Sequence, residues 1–298
     1  MNAVNAPNGL LAIVGGSGLY ELAGLTDTQW VDVDTPWGRP SDQILTGRLP
    51  TAAGDVRLAF LPRHGRGHRL PPSAVPYQAN IAALKQLGAS DVLSLSAVGS
   101  LRADLPPGHF VIVDQFIDRT VGRPASFFGA GLVAHVSLAH PTCPRLGGHL
   151  QAALAAQGVP HTRGGTYLAM EGPQFSTLAE SRLYRSWNAD VIGMTNQPEA
   201  RLAREAELCY ASVSMVTDFD CWHPAHDDVT VDTVIRVLLG NAERARGLVQ
   251  SSAGAIAHDG HGPGCSCRRA LDHALMTAPA ARDPAMVDKL RGIAGRLL

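Results

Sequence analysis

The sequence predicts an α/β fold, a central, mostly parallel mixed sheet flanked by helices. Three observations carry this. Short apolar runs rich in Val, Ile and Leu recur along the chain, and most do not alternate with polar residues, which is how strands buried on both faces read. Turn residues bound the runs. Between several of them, apolar residues recur at three- and four-residue steps, the helical period. Strand alternating with helix is the pattern of a parallel sheet.

The strand candidates, in order, are "LLAIVGG", "VRLAFLPRHG", "DVLSLSAVGS", "HFVIVDQFID", "ADVIGMT" and "CYASVSMVTD". The helix candidates are "SAVPYQANIAALKQLGA", stopped at Gly88, "PEARLAREAEL", opened by Pro198 in its first turn, and the long "TVDTVIRVLLGNAERARGLVQ". A break near "AHDGHGPGCSC" precedes a terminal helix, "DPAMVDKLRGIAGRLL". The expectation is a single domain over 1–298, with its core about 10–256 and a C-terminal extension, carrying that helix, over 257–298.

Composition excludes several functions. The 298 residues carry 25 basic and 26 acidic side chains, a net charge of −1, so neither a nucleic-acid surface nor an acidic tail is expected. Aromatics are 5%, too few for a stacking platform. No apolar run reaches the roughly 18 residues of a membrane span, and no basic stretch precedes the short N-terminal apolar segment. A cytoplasmic protein with reduced thiols is expected. The five cysteines are an odd number, mostly in apolar or helical context. Cys265-Ser266-Cys267, near His258 and His261, stands apart, and plain thiols, a disulfide and a metal site all remain open there. Against the metal, the two cysteines are one residue apart and no second pair is visible in the sequence, whereas zinc takes four ligands.

Polar residues and glycines cluster where the apolar runs end, and open α/β sheets bind ligands at the carboxyl ends of their strands. Gly15-Gly16-Ser17-Gly18, Arg63-His64-Gly65, the Ser96–Ser100 stretch and Met194-Thr195 each follow such a run. Together they offer backbone N–H groups, small hydroxyls, a guanidinium and an imidazole, an inventory suited to a phosphate-sized anion. "GGSGLYE" lacks the third glycine of a dinucleotide fingerprint, which weakens an oxidoreductase reading, and no P-loop motif is present. Asp218 and Asp220 close the last run. Alternation puts residues two apart on one side of an extended chain, so the two acids are expected to share a face. They can hold a divalent metal, act as an acid/base pair on a glycosidic bond, bind a heterocycle's N–H edge, or simply cap a helix or face solvent.

Several longer segments, among them "IVGGSGLYEL", "PRHGRGHRLPPSAVPYQANIAALKQLG", "MEGPQFSTLAESRLYR" and "GMTNQPEARLAREAELCYASVSMVTDFDCW", resemble the trimeric-type purine nucleoside phosphorylases, in particular the branch acting on 5'-methylthioadenosine. The motifs run in order from about 11 to 240. The resemblance implies the nucleoside phosphorylase fold. It also implies reversible phosphorolysis of S-methyl-5'-thioadenosine to adenine and 5-methylthioribose-1-phosphate, with phosphate as co-substrate and neither an organic cofactor nor a metal. A trimer or dimer of trimers, with an active site shared between neighbouring subunits, is expected.

Carried over by position, the phosphate site is Ser17, Arg63, His64, Ser96, Ala97 and Thr195. Met194 lies against the ribose, Phe175 packs on the purine with Ser176 nearby, and Asp218 and Asp220 face the adenine edge as the catalytic carboxyls. His68, Val231, Val234 and Ile235 line the 5'-methylthio pocket, with His135 entering from a neighbouring subunit. A carboxyl accepts from a 6-amino group and shares a proton with N7, whereas a 6-oxo purine presents another acceptor, so Asp218 favours adenine. The alternative is a phosphorylase of 6-oxopurine nucleosides. Two positions depart from the family pattern: Gln174 stands in a segment that commonly carries Arg, and Asn196 where a second Thr is common. The family also includes heat-stable archaeal members in which cysteines near the C-terminus pair.

Overall fold

The computed structural model describes residues 9–16, 22–224, 231–260 and 265–298, with backbone alone at 231–236 and 238. The strands are β1 (Leu10–Gly15), β2 (Thr26–Val31), β3 (Ile44–Leu49), β4 (Val56–Pro62), β5 (Ala89–Ser100), β6 (Phe110–Val113), β7 (Gln115–Asp118), β8 (His161–Arg163), β9 (Thr166–Ala169), β10 (Val191–Gly193) and β11 (Cys209–Asp218). The α-helices are α1 (Tyr77–Gln86), α2 (Pro144–Ala156), α3 (Leu178–Ser186), α4 (Asn196–Glu205), α5 (Val231–Asp259) and α6 (Pro284–Ala294). All the strands form one mixed sheet, running β2-β3-β4-β1-β5-β10-β9-β7, with β11 on β5 and β6, and β8 on β6. Among the described residues six pairings are parallel and four antiparallel. This is the mostly parallel mixed sheet that the apolar runs predict.

The runs without alternation are strands covered on both sides. Along β1, Leu10, Ala12 and Val14 pack with residues of α1, α4 and α6, such as Ile81, Leu202 and Leu290. Leu11 and Ile13 point the other way, to Leu150 and Leu154 of α2 and Leu248 and Val249 of α5. Each large apolar side chain buried this way contributes about 1.5–3 kcal/mol. After the break near 257–267, Leu271, Ala274, Leu290 and Ile293 join the same core as β1 and α1.

Among the differences from the sequence expectation, two concern how the sheet is built. "HFVIVDQFID" is two strands, because the N–H groups of Asp114 and Gln115 both donate to the Gly165 carbonyl (3.2 Å each) and bend the chain. β6 then pairs with β11, and β7 with β9. β2, largely polar and exposed, leaves no apolar run to read; its pairing with β3 makes it a strand. No described helix is long and apolar enough to cross a membrane.

Topology positions the site. β1, β4, β5 and β11 run parallel, so their carboxyl ends lie along one edge of the sheet. β5 extends far enough for Gly99 and Ser100 to pair with β10 as well, which brings Met194 and Thr195 to that edge.

Candidate active site

Arg63 follows β4, and its N–H donates to Gly15 O (2.9 Å), extending the β1–β4 ladder. The side chain turns inward and is buried with Glu199 of α4. Nε donates to Glu199 Oε2 (2.8 Å) and Nη2 to Oε1 (3.1 Å), a forked, charge-assisted pair. Nη2 also bonds Ser94 Oγ (2.7 Å) and Val14 O (3.3 Å), and Nη1 bonds Leu95 O (3.1 Å). Glu199 accepts in addition from the Ser94 hydroxyl (2.7 Å) and the Tyr210 phenol (2.9 Å). Burial opposes the guanidinium charge, but Glu199 beside it more than offsets this and raises its pKa. The expected anion fork is therefore largely committed to protein acceptors, and one Nη1 hydrogen has no partner among the described residues.

Asn196 extends this network. Register pairs Ser94 with Ser212 and Ser96 with Ser214, so these hydroxyl residues share one face of adjacent strands. Asn196 lies over that face. Its Oδ1 accepts from Ser96 Oγ (3.0 Å), and its Nδ2 donates to Ser212 Oγ. The departure from Thr at 196 thus supplies a hub linking β5, β11 and α4. Thr195, buried beside it, has no side-chain partner among the described residues, so its hydroxyl is free to donate to a ligand. Ala97 sits on β5 opposite Met215.

His64 follows Arg63. Its Nδ1 is 2.8 Å from Leu70 O, which fixes the proton on Nδ1 and leaves Nε2 as an acceptor. The ring stacks on the exposed His68 (centroids 4.2 Å apart, 8° between planes). Burial, joined by the positive charge of Arg63 and by His68, lowers its pKa from 6.5 to about 4. A neutral imidazole can accept a hydrogen bond from an O–H of hydrogen phosphate or of a ribose. The depressed pKa also fixes a pH dependence. The unfolded chain binds the proton at higher pH than the folded one, so the stability linked to neutral His64 is full above about 6.5 and is lost as pH falls toward 4. Denaturant titrations from pH 7.5 to 4.5 should show a loss of up to about 3 kcal/mol attributable to this group, and His64→Asn should flatten that slope. An unchanged slope in the variant would remove His64 as its source.

At the end of β11 the carboxylates are arranged differently from the expectation. The strand stops at Asp218, and Asp220 lies in a turn at φ 53°, so alternation does not relate the two. Instead the Asp220 N–H folds back to Asp218 Oδ1 (2.8 Å). The Thr217 hydroxyl lies 2.7 Å from Asp218 Oδ2 and 3.2 Å from Val98 O. That hydroxyl can donate to an ionised Asp218, or accept from a protonated one while donating to Val98 O. The neutral and charged acids are both accommodated by rotating the Thr217 hydroxyl hydrogen, with no heavy atom moved. Burial raises the pKa of Asp218, with the Asp220 carboxylate adding to it against the Thr217 and Asp220 donors. Burial likewise raises Asp220, whose Oδ2 has no hydrogen-bond partner among the described residues. A bulge in the β5–β11 ladder sets Asp218 opposite Gly99, where a Cβ would come within 2.9 Å of Oδ1. Only glycine leaves the carboxyl its place.

The loop after β9 completes this side. Ser176 lies at the Asp220 carboxyl, its carbonyl accepts from the Cys221 thiol (3.4 Å), and Phe175 is 44% exposed. Met194 packs over Gly172, which has φ 68° and leaves only 2.5 Å between a Cβ there and Sδ. Arg123, buried, donates through Nη1 to Met194 O (2.6 Å), Gln197 O (2.9 Å) and Tyr77 OH (3.1 Å), and through Nη2 to Glu171 O (2.6 Å). It ties the Glu171–Gly172 turn to the start of α4, while Gln174 is exposed.

Ser17 and the side chains of Val231, Val234 and Ile235 lie outside the described residues. His135 is exposed on a loop whose backbone pairs with the C-terminal segment. Sequence reasoning missed Glu199, Ser94, Thr217 and Arg123. One signal was present for Glu199, a carboxylate at helical spacing from Leu202 and Ala203, on a face otherwise apolar.

A buried Arg63–Glu199 network and a carboxyl acid, Asp218, are thus brought to the carboxyl edge of a mixed α/β sheet. The Phosphorylase superfamily model matches residues 10–253. S-methyl-5'-thioadenosine phosphorylase of Cereibacter sphaeroides is 59% identical over 289 residues, 97% of this chain and 98% of that one. The crystal structure of a methylthioadenosine phosphorylase from an antarctic soil metagenomic library superposes with a TM-score of 0.89 at 46% identity, covering 97% and 99% of the two chains. The methylthioadenosine phosphorylase from Schistosoma mansoni, in complex with adenine, gives 0.77 at 36% identity, covering 83% and 91%. The chain belongs to the phosphorylase superfamily and, within it, to the S-methyl-5'-thioadenosine phosphorylase family.

Proposed function

We propose that the chain catalyses reversible phosphorolysis of S-methyl-5'-thioadenosine, giving adenine and 5-methylthioribose-1-phosphate, in purine and methionine salvage. One observation carries the reading: a carboxyl, Asp218, whose pKa burial raises and whose Thr217 neighbour can serve either protonation state, sits at the edge where the strand ends gather. Breaking the N-glycosidic bond builds positive charge on the sugar and negative charge on the departing base. Phosphate, met by the Thr195 hydroxyl, His64 Nε2, Ser96, the backbone at Ala97, Ser17 and the remaining Nη1 hydrogen of Arg63, stabilises the first charge and attacks C1'. Asp218 relieves the second by giving its proton toward N7, with Asp220 as its support. Met194 backs the ribose, and Phe175 and Ser176 the purine. His68, Val231, Val234 and Ile235, with His135 of a neighbouring subunit, form the 5' pocket of a cytoplasmic homotrimer or dimer of trimers. No organic cofactor takes part in this chemistry.

Base release from methylthioadenosine, methylthioinosine and inosine, each with free phosphate, tests the reading. Methylthioadenosine should be preferred over the 6-oxo substrates by at least about 10²-fold in kcat/KM, since a mismatched donor–acceptor edge leaves buried groups unpaired. Equal rates on methylthioinosine would favour the 6-oxopurine alternative.

A further inference from the structure

We infer that Cys143, Cys209, Cys265 and Cys267 form a structural zinc site. Cysteines far apart in sequence meet here. Cys143 caps α2, Cys209 opens β11, and Cys265 and Cys267 begin the C-terminal segment. Three are buried and Cys265 is half-buried. The four sulfurs all lie within 4.8 Å of one another. Cys265 Sγ is 3.3 Å from Cys209 Sγ and 3.9 Å from Cys143 Sγ. A tetrahedral zinc with Zn–S bonds of about 2.3 Å spaces its sulfurs about 3.8 Å apart. A disulfide needs about 2.05 Å and joins sulfurs in twos, whereas Cys265 stands near two partners at once.

The surroundings suit a charged tetrathiolate. Binding Zn²⁺ releases four thiol protons and leaves a centre of net charge −2, which calls for donors and cations nearby. The positive charge of Arg145 acts on both Cys143 and Cys209. Arg145 also pairs with Asp91, and Arg204 lies close to Cys267. Soft thiolates select zinc over magnesium or calcium, and four protein ligands leave no open position for chemistry. Cys209 and Asp218 sit at opposite ends of β11, about 30 Å apart at strand rise, so the site is structural. It takes up the metal reading that the Cys265/Cys267 pair left open and departs from the absence of a metal that the family resemblance implies.

Its role follows from what it joins. Beyond Cys267, Ala274 O accepts from His135 N (2.8 Å), Met276 N donates to Val133 O (2.9 Å), and Leu275 bridges Ala134. The clamp fixes the C-terminal segment to the amino end of β11, and that segment holds the His135 loop.

The test uses full-length protein prepared in zinc-supplemented medium with a phosphine reductant. Elemental analysis should find about one zinc per protomer. Cobalt substitution should give thiolate-to-metal charge-transfer absorption and the intense visible bands of a tetrahedral site. Cys265→Ser/Cys267→Ser should lose the metal, and Cys221→Ser should keep it. Metal-free wild-type protein, iron in place of zinc, or two disulfides by mass under these conditions would each overturn the inference. If the double variant fails to fold, wild-type stoichiometry and the cobalt spectrum decide alone.

Discussion

Asp218→Asn should lower kcat/KM for methylthioadenosine phosphorolysis by about 10²–10⁴-fold, the usual worth of a positioned proton donor, and raise the relative rate on 6-oxo nucleosides. The variant is well suited to isolating the chemistry because its fold is expected to survive. Asn Oδ1 can still accept the Asp220 N–H. Its Nδ2 can donate to the Thr217 hydroxyl, which then donates to Val98 O. What changes, under the proposed function, is the proton that Asp218 would supply and the acceptor it would offer to a 6-amino group. Steady-state kinetics on the two substrate classes, beside thermal unfolding, separates these effects. Adenine-side kinetics that match the parent would show that the leaving base takes its proton from elsewhere.

Arg63→Met and Glu199→Gln should each cost about 3–5 kcal/mol of stability, because removing one partner strands a buried charge. Ser94 and Tyr210, which hydrogen-bond into the same pair, leave little room for relaxation. The double variant should be less destabilised than the sum of the singles by about 1–3 kcal/mol, the coupling expected of residues in contact. Additive losses in chemical denaturation would contradict a coupled pair. Phosphate KM gives a second reading. With one Nη1 hydrogen left for the ligand, KM for phosphate should rise in Arg63→Met and stay raised in the double variant. Recovery of KM together with stability would confine Arg63 to a positioning role.

These two sites mark where sequence reasoning reached and where it stopped. Runs such as "LLAIVGG" and "CYASVSMVTD" were legible as doubly covered strands because burial on both faces imposes a composition that a single segment displays. β2 was not, since its strand character comes from β3 rather than from its own residues. Asp218 was legible as the end of an apolar run. Its partner's geometry was not, because a left-handed residue at Asp220 breaks the alternation on which a shared face depends. Arg63 was read as an open donor because Glu199, which occupies its fork, lies 136 residues away.

By itself the sequence determined the class of fold, the order of the apolar runs, the gathering of small polar residues at their ends, and the acid that closes the last run. All of these are properties of contiguous residues, and local periodicity records them. Only the tertiary structure decided which charges neutralise one another, how burial and its neighbours raise the pKa of Asp218, and that four scattered cysteines share one centre. Those outcomes depend on distances between segments remote in the chain, and a linear pattern carries no record of distance.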